Sequence, residues 1–367
     1  MKTIVISAVN IRRGGTLRIL RDCLEYLSSL SQMGLYRVVA VVHKKELVEF
    51  EGIEYIEMPD IIKGWGKRLW CEYVTMYKLS KKLDPVYLWF SLHDTTPRVC
   101  AQRQALYCQT SFPFLKLKAQ DLKFDYKIVL FGLFTRFAYL INVKKNSHIV
   151  VQADWLRERF SRMFGMEKSR FIVAPPQETP SSFLQLKGLK NPSYTFSYVC
   201  GPDCHKNVEL LCEAAKRLER KIGKNKFKVI LTLSGNENKY SRWLHDKWSN
   251  VDSVNFLGYQ SREGVERIYA ETDCLVFPSR VETWGLPISE FRHTGKSMLL
   301  ADLPYAHEAS AGADKVAFFS PINPEDLMMK MFQLIEGKEE FLVSVSPPVL
   351  AKPSAYSWQE LFAQLLS

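Results

Sequence analysis

No apolar run in these 367 residues reaches the ~18–20 positions that a membrane-spanning helix needs, so spanning is excluded as a reading of the sequence. Eight cysteines lie scattered without framework spacing, which argues against a disulfide scaffold and fits reduced thiols in a cytosolic protein. Cys200-x3-Cys204-His205 has no second ligand pair at zinc-finger distance, so no metal site is expected. Met1 to Val9 is too short for a secretory leader and is followed at once by Asn10 and Arg12-Arg13. It reads as a first buried strand. Gly14-Gly15 lacks the spacing of a dinucleotide fingerprint. Basic residues are not interleaved with aromatics in a nucleic-acid pattern, so a nucleic-acid partner is not expected despite the charge. There is no internal sequence repeat.

What is present describes a soluble globular chain of two domains, with 47% hydrophobic and 24% charged residues. The net charge of +11 is lopsided. Residues 1–180 hold 28 Lys and Arg against 17 Asp and Glu, whereas residues 181–367 hold 22 of each. The first half is therefore the one that faces an acidic partner such as anionic lipid or a phosphorylated acceptor.

Short apolar runs alternating with helical periodicity predict an α/β fold with parallel sheets. In the first half, strands are expected at Thr3–Val9, Tyr36–Val42, Ile53–Met58, Pro85–Ser91, Gln104–Cys108 and His148–Gln152. The Gly14-Gly15 turn opens a helix, and Gly15 is a candidate for close backbone approach to a ligand. His93-Asp94 follows a strand end, where α/β folds place ligands; a helix cap with His93 as spectator is the alternative. Ile128–Ile141, apolar apart from Thr135 and Arg136, reads first as a core helix and alternatively as an interfacial helix on anionic lipid. Ala174–Pro180 is the expected linker.

In the second half, a strand at Tyr194–Cys200 leads through Gly201-Pro-Asp-Cys-His-Lys206 into a helix, with Lys206 at its start. Ser234-Gly235 and Gly258-Tyr259 are further turns after strands. The most informative stretch is Val276-Phe-Pro-Ser-Arg-Val-Glu282-Thr-Trp284-Gly285-Leu286-Pro-Ile-Ser-Glu290, a buried strand, a short loop and a helix beginning near Pro287. The amides of Trp284 through Ile288 are expected to form an anion site flanked by two carboxylates.

This corner resembles the E-x7-E signature of the retaining GT-B glycosyltransferases of family 4, within P-S-x-x-E-x-[FW]-G-L-P-x-x-E. The resemblance covers the second half well and the first half in layout only. It implies a GT-B fold: two Rossmann-like domains facing each other across a cleft, at 1–176 and 181–346, with a terminal helix in 353–367 crossing back. It implies transfer of a sugar from a nucleotide sugar, without a cofactor or bound metal, onto a glycan or lipid-linked acceptor of bacterial surface polysaccharide. Carried over, Glu290 holds the ribose, Glu282 contacts the sugar, and Lys206 with the Trp284–Leu286 amides holds the diphosphate. Gly235 and Tyr259 are further donor-binding candidates, the backbone after Gly258 with Gln260 receives the base, and Gly15, in the loop at the interdomain cleft, touches the donor phosphates or the acceptor. Relatives commonly have a histidine where this chain has Gln109, which leaves His93 as the catalytic candidate. Gly201 stands where many carry an arginine. His307 and Glu308 are expected to brace their corner. A cytoplasmic protein, peripheral at the inner face of the membrane, is the implied location. A GT-B-like nucleotide-sugar-binding protein or epimerase without transferase activity is the alternative.

Overall fold

The computed structural model describes residues 1–83, 85–177, 193–347 and 350–367; the second half of the expected linker and the expected start of the second domain at 181 lie outside them. The chain forms two compact units. Each contains, among the described residues, one parallel sheet.

The first unit comprises Met1–Pro113, Phe134–Gln177 and Leu350–Ser367. Its strands are β1 (Lys2–Ala8), β2 (Tyr36–Val42), β3 (Ile53–Glu57), β4 (Val86–Ser91), β5 (Arg103–Cys108), β6 (His148–Val151) and β7 (Phe171–Val173). They pair in the order β3-β2-β1-β4-β5-β6-β7, all parallel. Strands covered on both faces read as continuous apolar runs, which is why Ile4, Val5 and Ile6 of β1 are all fully buried. Helix Gly14–Gln32 lays Ile19, Leu20, Cys23, Leu24 and Leu27 on this sheet, the spacing of one helical face. The last helix, Trp358–Leu366, is capped by the Ser357 hydroxyl and sinks Leu361, Phe362 and Leu365 into the same core. Phe362 stacks on Tyr26 at 5.6 Å and contributes roughly 1.5–3 kcal/mol by its burial.

The second unit comprises Glu178–Val349 and, unexpectedly, Phe114–Leu133. Its strands are β8 (Tyr194–Tyr198), β9 (Phe227–Leu231), β10 (Val254–Phe256), β11 (Cys274–Phe277), β12 (Ser297–Ala301) and β13 (Val316–Phe319), in the parallel order β10-β9-β8-β11-β12-β13. Both sheets reverse winding direction once, between β1 and β4 in one and between β8 and β11 in the other. The segment 114–133 sits between β5 and β6 in sequence, and the expected domain limits of 1–176 and 181–346 did not provide for it. It is held by the Asp121–Arg280 ion pair, by Gln120 donating to Glu209 at 2.6 Å, and by Phe124 packed on Trp243 with ring centroids 4.8 Å apart.

The helix Tyr126–Leu140 is not the core helix expected first. Val129, Thr135 and Tyr139 are buried, but the opposite side carries exposed leucine and aromatic side chains.

Candidate functional site

Open α/β sheets bind ligands beyond the carboxyl ends of their strands where the winding reverses, which in the second unit is the crevice between β8 and β11. The sequence delivers two chemically distinct segments there. After β8 the chain makes a tight turn at Cys204–Lys206, takes a left-handed step at Asn207 (φ 57°) and enters helix Val208–Ile222. After β11 it runs through Pro278 to Glu282 and into helix Leu286–Arg292. Asn207 ties the two segments together, donating from Nδ2 to the carbonyls of Pro278 at 3.1 Å and Pro321 at 3.0 Å.

Lys206 and Glu282 meet at the centre of this crevice, Nζ to Oε1 at 2.6 Å, with both side chains mostly buried. Burial works against the charge on Lys206, and Glu282 overrides it, so the ammonium holds its proton above the ordinary lysine range. Ser279 donates to the same carboxylate oxygen at 2.6 Å. Tyr198 links Ser279, at 2.9 Å, to the carbonyl of Lys206, at 3.1 Å, while Tyr305 donates to the Ser279 carbonyl at 2.6 Å. The pair is thus held by a chain of buried hydroxyls. An ammonium has three donors, so two remain for an anion after Glu282 takes one.

Glu290 lies on the next helix, where Arg262 donates to Oε1 at 2.6 Å and the Tyr269 hydroxyl approaches Oε2 at 3.4 Å. Gly285 begins this helix with φ 97°, a conformation that requires glycine. The helix starts at Leu286, one residue earlier than expected. Ile288 donates its amide to the Gly285 carbonyl at 2.9 Å, and Pro287 has none to give, which narrows the expected amide cluster to Trp284, Gly285 and Leu286. The Trp284 ring is buried and donates to Ser289 at 3.2 Å, so it supports the corner from below.

Other candidates fall elsewhere. Gly235 is closed off: its amide donates to Glu237 at 3.0 Å, and an added Cβ would lie 2.6 Å from His245. Tyr259 is 91% exposed beyond β10, and Gln260 turns back onto the Leu257 and Gly258 carbonyls. His307 pairs with Asp302 at 2.7 Å and stacks on Phe318, a brace for its corner. Gly15 lies in the first turn of helix Gly14–Gln32 in the other unit.

His93 also belongs to the first unit, at the β1–β4 reversal, but not as an exposed acid or base. It is 1% exposed, with Nε2 against Ser7 Oγ at 3.0 Å and Nδ1 against Thr95 Oγ1 at 3.1 Å and Glu72 Oε1 at 3.2 Å. Burial, with Arg68 nearby, depresses its pKa to about 3, while burial lifts Glu72 to about 7. At neutral pH the imidazole is therefore a neutral brace between β1 and the π-helical turn Cys71–Thr75. Asp94 takes a left-handed conformation and accepts the amides of Gln109 and Thr110 at 2.5 and 3.0 Å; Gln109 itself donates to the Leu92 carbonyl. The position where a histidine was looked for serves to hold this turn.

Three contributors had no signal in the sequence. Arg262 sits on Glu290. Arg280, two residues before Glu282, forks onto buried Asp121 at 2.6 and 3.0 Å and gives its backbone amide to the His205 carbonyl. Glu72 orients His93 from a helix whose periodicity looks unremarkable. Among the described residues, no group of three or more His, Cys, Asp or Glu is arranged to hold a metal ion.

Residues 188–342, which contain the whole Lys206–Glu282–Glu290 constellation, match the family model described as glycosyl transferases group 1. They form a group 1 glycosyltransferase domain. The O-antigen chain mannosyltransferase RfbU of Salmonella typhimurium is 21% identical over 197 residues, so the aligned region spans about half of each protein, 53% of this chain and 52% of the relative. HepE of Anabaena in complex with UDP-glucose superposes with a TM-score of 0.65 over 100% of this chain and 98% of its own, at 13% identity. WaaG, a glycosyltransferase involved in lipopolysaccharide biosynthesis, gives a TM-score of 0.61 over 92% and 90%, at 16% identity. The fold around the group 1 domain is GT-B, with two Rossmann-like units.

Proposed function

We propose that this chain is a retaining glycosyltransferase that moves a hexose from a nucleoside-diphosphate sugar to a glycan or lipid-linked oligosaccharide of surface polysaccharide. The observation that carries the reading is the Lys206–Glu282 pair at the β8–β11 reversal inside the group 1 domain. Lys206 turns its remaining donors to the diphosphate, assisted by the Trp284–Leu286 amides, and stabilises the charge that develops on the leaving nucleoside diphosphate. Glu282, fixed by Ser279 and Lys206, accepts hydroxyls of the transferred sugar. Glu290 accepts ribose hydroxyls, and exposed Tyr259 with Gln260 lies on the side of the base. No bound metal takes part. The lipopolysaccharide and O-antigen relatives support the acceptor class. The excess of cations in the first half supports work at an anionic membrane surface on the cytoplasmic side.

The test is a panel of nucleotide sugars, read by nucleoside-diphosphate release and by thermal shift, on the wild type and Glu290→Ala. One donor should be turned over in excess EDTA, and the variant should lose about 10-fold or more in donor affinity, in keeping with roughly 1.5–3 kcal/mol for charged hydrogen bonds. Undiminished turnover by Glu290→Ala would remove the donor assignment. Activity lost to EDTA and restored by magnesium would overturn the metal-free mechanism. Donor binding with no transfer to any acceptor would favour the sugar-binding alternative.

A further inference from the structure

The helix Tyr126–Leu140 is apolar on both sides, but only one side is covered. Tyr126, Leu130, Leu133, Phe134, Phe137 and Leu140 are all exposed, between 38% and 64%. At about 100° per residue they form one continuous stripe along the helix. Lys127 and Arg136, also exposed, fall on opposite borders of that stripe. Lys123 precedes the helix, and Lys144 and Lys145 follow it, all exposed.

We propose that this helix docks the protein on an anionic lipid surface, with its apolar stripe in the headgroup–acyl boundary and its bordering cations on lipid phosphates. Charge complementarity selects this occupant. From Lys116 to Lys145 the chain has seven Lys and Arg and two carboxylates. Asp121 is buried under Arg280, and half-buried Asp125 engages Oδ1 with the amides of Lys127 and Ile128, so the exposed charge of this segment is predominantly positive. A second copy of this chain would bring the same cations together. The helix is 15 residues, about 22 Å, which is short of a bilayer core; among the described residues no helix is long and apolar enough to cross a membrane. A helix with an apolar face and flanking cations lies in the interface plane. The inference rests on the reading that the chain works at a membrane surface, and it names the element that meets that surface.

Co-sedimentation of the full chain with phosphatidylglycerol/phosphatidylcholine vesicles, and with phosphatidylcholine alone, tests it. Binding should require the anionic lipid and weaken as salt rises. Phe134→Ser/Phe137→Ser should weaken it at least 10-fold, and Lys127→Glu/Arg136→Glu should remove the preference for anionic lipid. The substituted side chains are exposed, so melting temperatures should match the wild type, and nucleotide-sugar hydrolysis in vesicle-free solution should be unchanged. No binding to anionic vesicles by the wild type, or equal binding by the two serine-substituted phenylalanines, overturns the proposal. So does self-association that these substitutions abolish without any vesicle binding. Donor hydrolysis without vesicle binding defeats the docking alone; vesicle binding without donor turnover defeats the transferase reading alone.

Discussion

Replacing Asp121 by alanine should damage the second unit more than any exposed charge would. Its carboxylate is fully buried, accepts two guanidinium N–H groups of Arg280 at 3.0 and 2.6 Å, and accepts the Lys118 amide at 2.7 Å. Burial favours its neutral form, but the Arg280 fork and the Lys118 amide prevail and hold it below the ordinary carboxylate range. Removing it strands a 6%-exposed guanidinium, and breaking a buried pair in this way costs about 3–5 kcal/mol. At roughly 2–4 °C per kcal/mol for a unit of this size, the melting transition should fall by about 6–20 °C. Function should follow, because Arg280 also anchors the His205 carbonyl beside Lys206 and lies two residues before Glu282. Donor KM should therefore rise even where the protein remains folded. Differential scanning calorimetry measures the first effect, and initial rates at varied donor concentration measure the second. Asp121→Leu combined with Arg280→Leu should recover part of the stability, since neither charge is then stranded. A shift below about 2 °C for Asp121→Ala, or a double variant no better than the single, would refute the reasoning.

Two further outcomes concern the other clusters. Glu72 has a folded-state pKa of about 7, above its ordinary 4.5, so its contribution to stability is fully present below pH 4.5 and is lost as pH rises through 7. Glu72→Gln should remove that loss, gaining about 3 kcal/mol over the wild type between pH 4.5 and pH 8, from 2.5 pH units at 1.36 kcal/mol each. Urea unfolding at both pH values checks it, and equal pH dependence of the two proteins contradicts it. His93, depressed to about 3, acts in the opposite sense, with stability lost as pH falls below 6.5, so acid sensitivity should persist in the variant. Arg262→Ala should raise donor KM about 3- to 10-fold with kcat little changed, because Arg262 orients Glu290 from a partly exposed position. A collapse of kcat with KM unchanged would place Arg262 in the chemical step instead.

The parts of this protein that were readable in advance were those written in contiguous residues. The apolar runs ending in small or polar residues gave the strands to within a residue or two, and the parallel order followed from helices between them. Lys206, Glu282 and Glu290 were singled out by the resemblance of their contiguous motifs to the E-x7-E family pattern more than by the turns of Pro, Gly and charge around them, and the structure brings Lys206 and Glu282 into contact. Contacts at long range left no such mark. Asp121 and Arg280 are 159 residues apart, and nothing in either neighbourhood requires the other. The helix Tyr126–Leu140 was ambiguous because its two faces are equally apolar, so periodicity could not say which one is covered. His93 was a candidate from its place at a strand end; the π-helical turn brings Glu72 onto its ring, and Thr95, two residues further on, contacts the same nitrogen. Helix Lys239–Trp248, with Tyr240, Ser241, Leu244 and Trp248 buried, carries too few apolar positions to announce itself.

The interleaving of the two units sets an order of events during synthesis. The segment 114–133 leaves the ribosome long before Arg280, and Asp121 must stay hydrated until its partner is made. By residue 349 every part of the second unit exists. The first unit, although translated first, still lacks Leu361, Phe362 and Leu365, which arrive in the final helix and fill its core. The second unit is therefore the first that can close completely, and the first unit is the last to be finished.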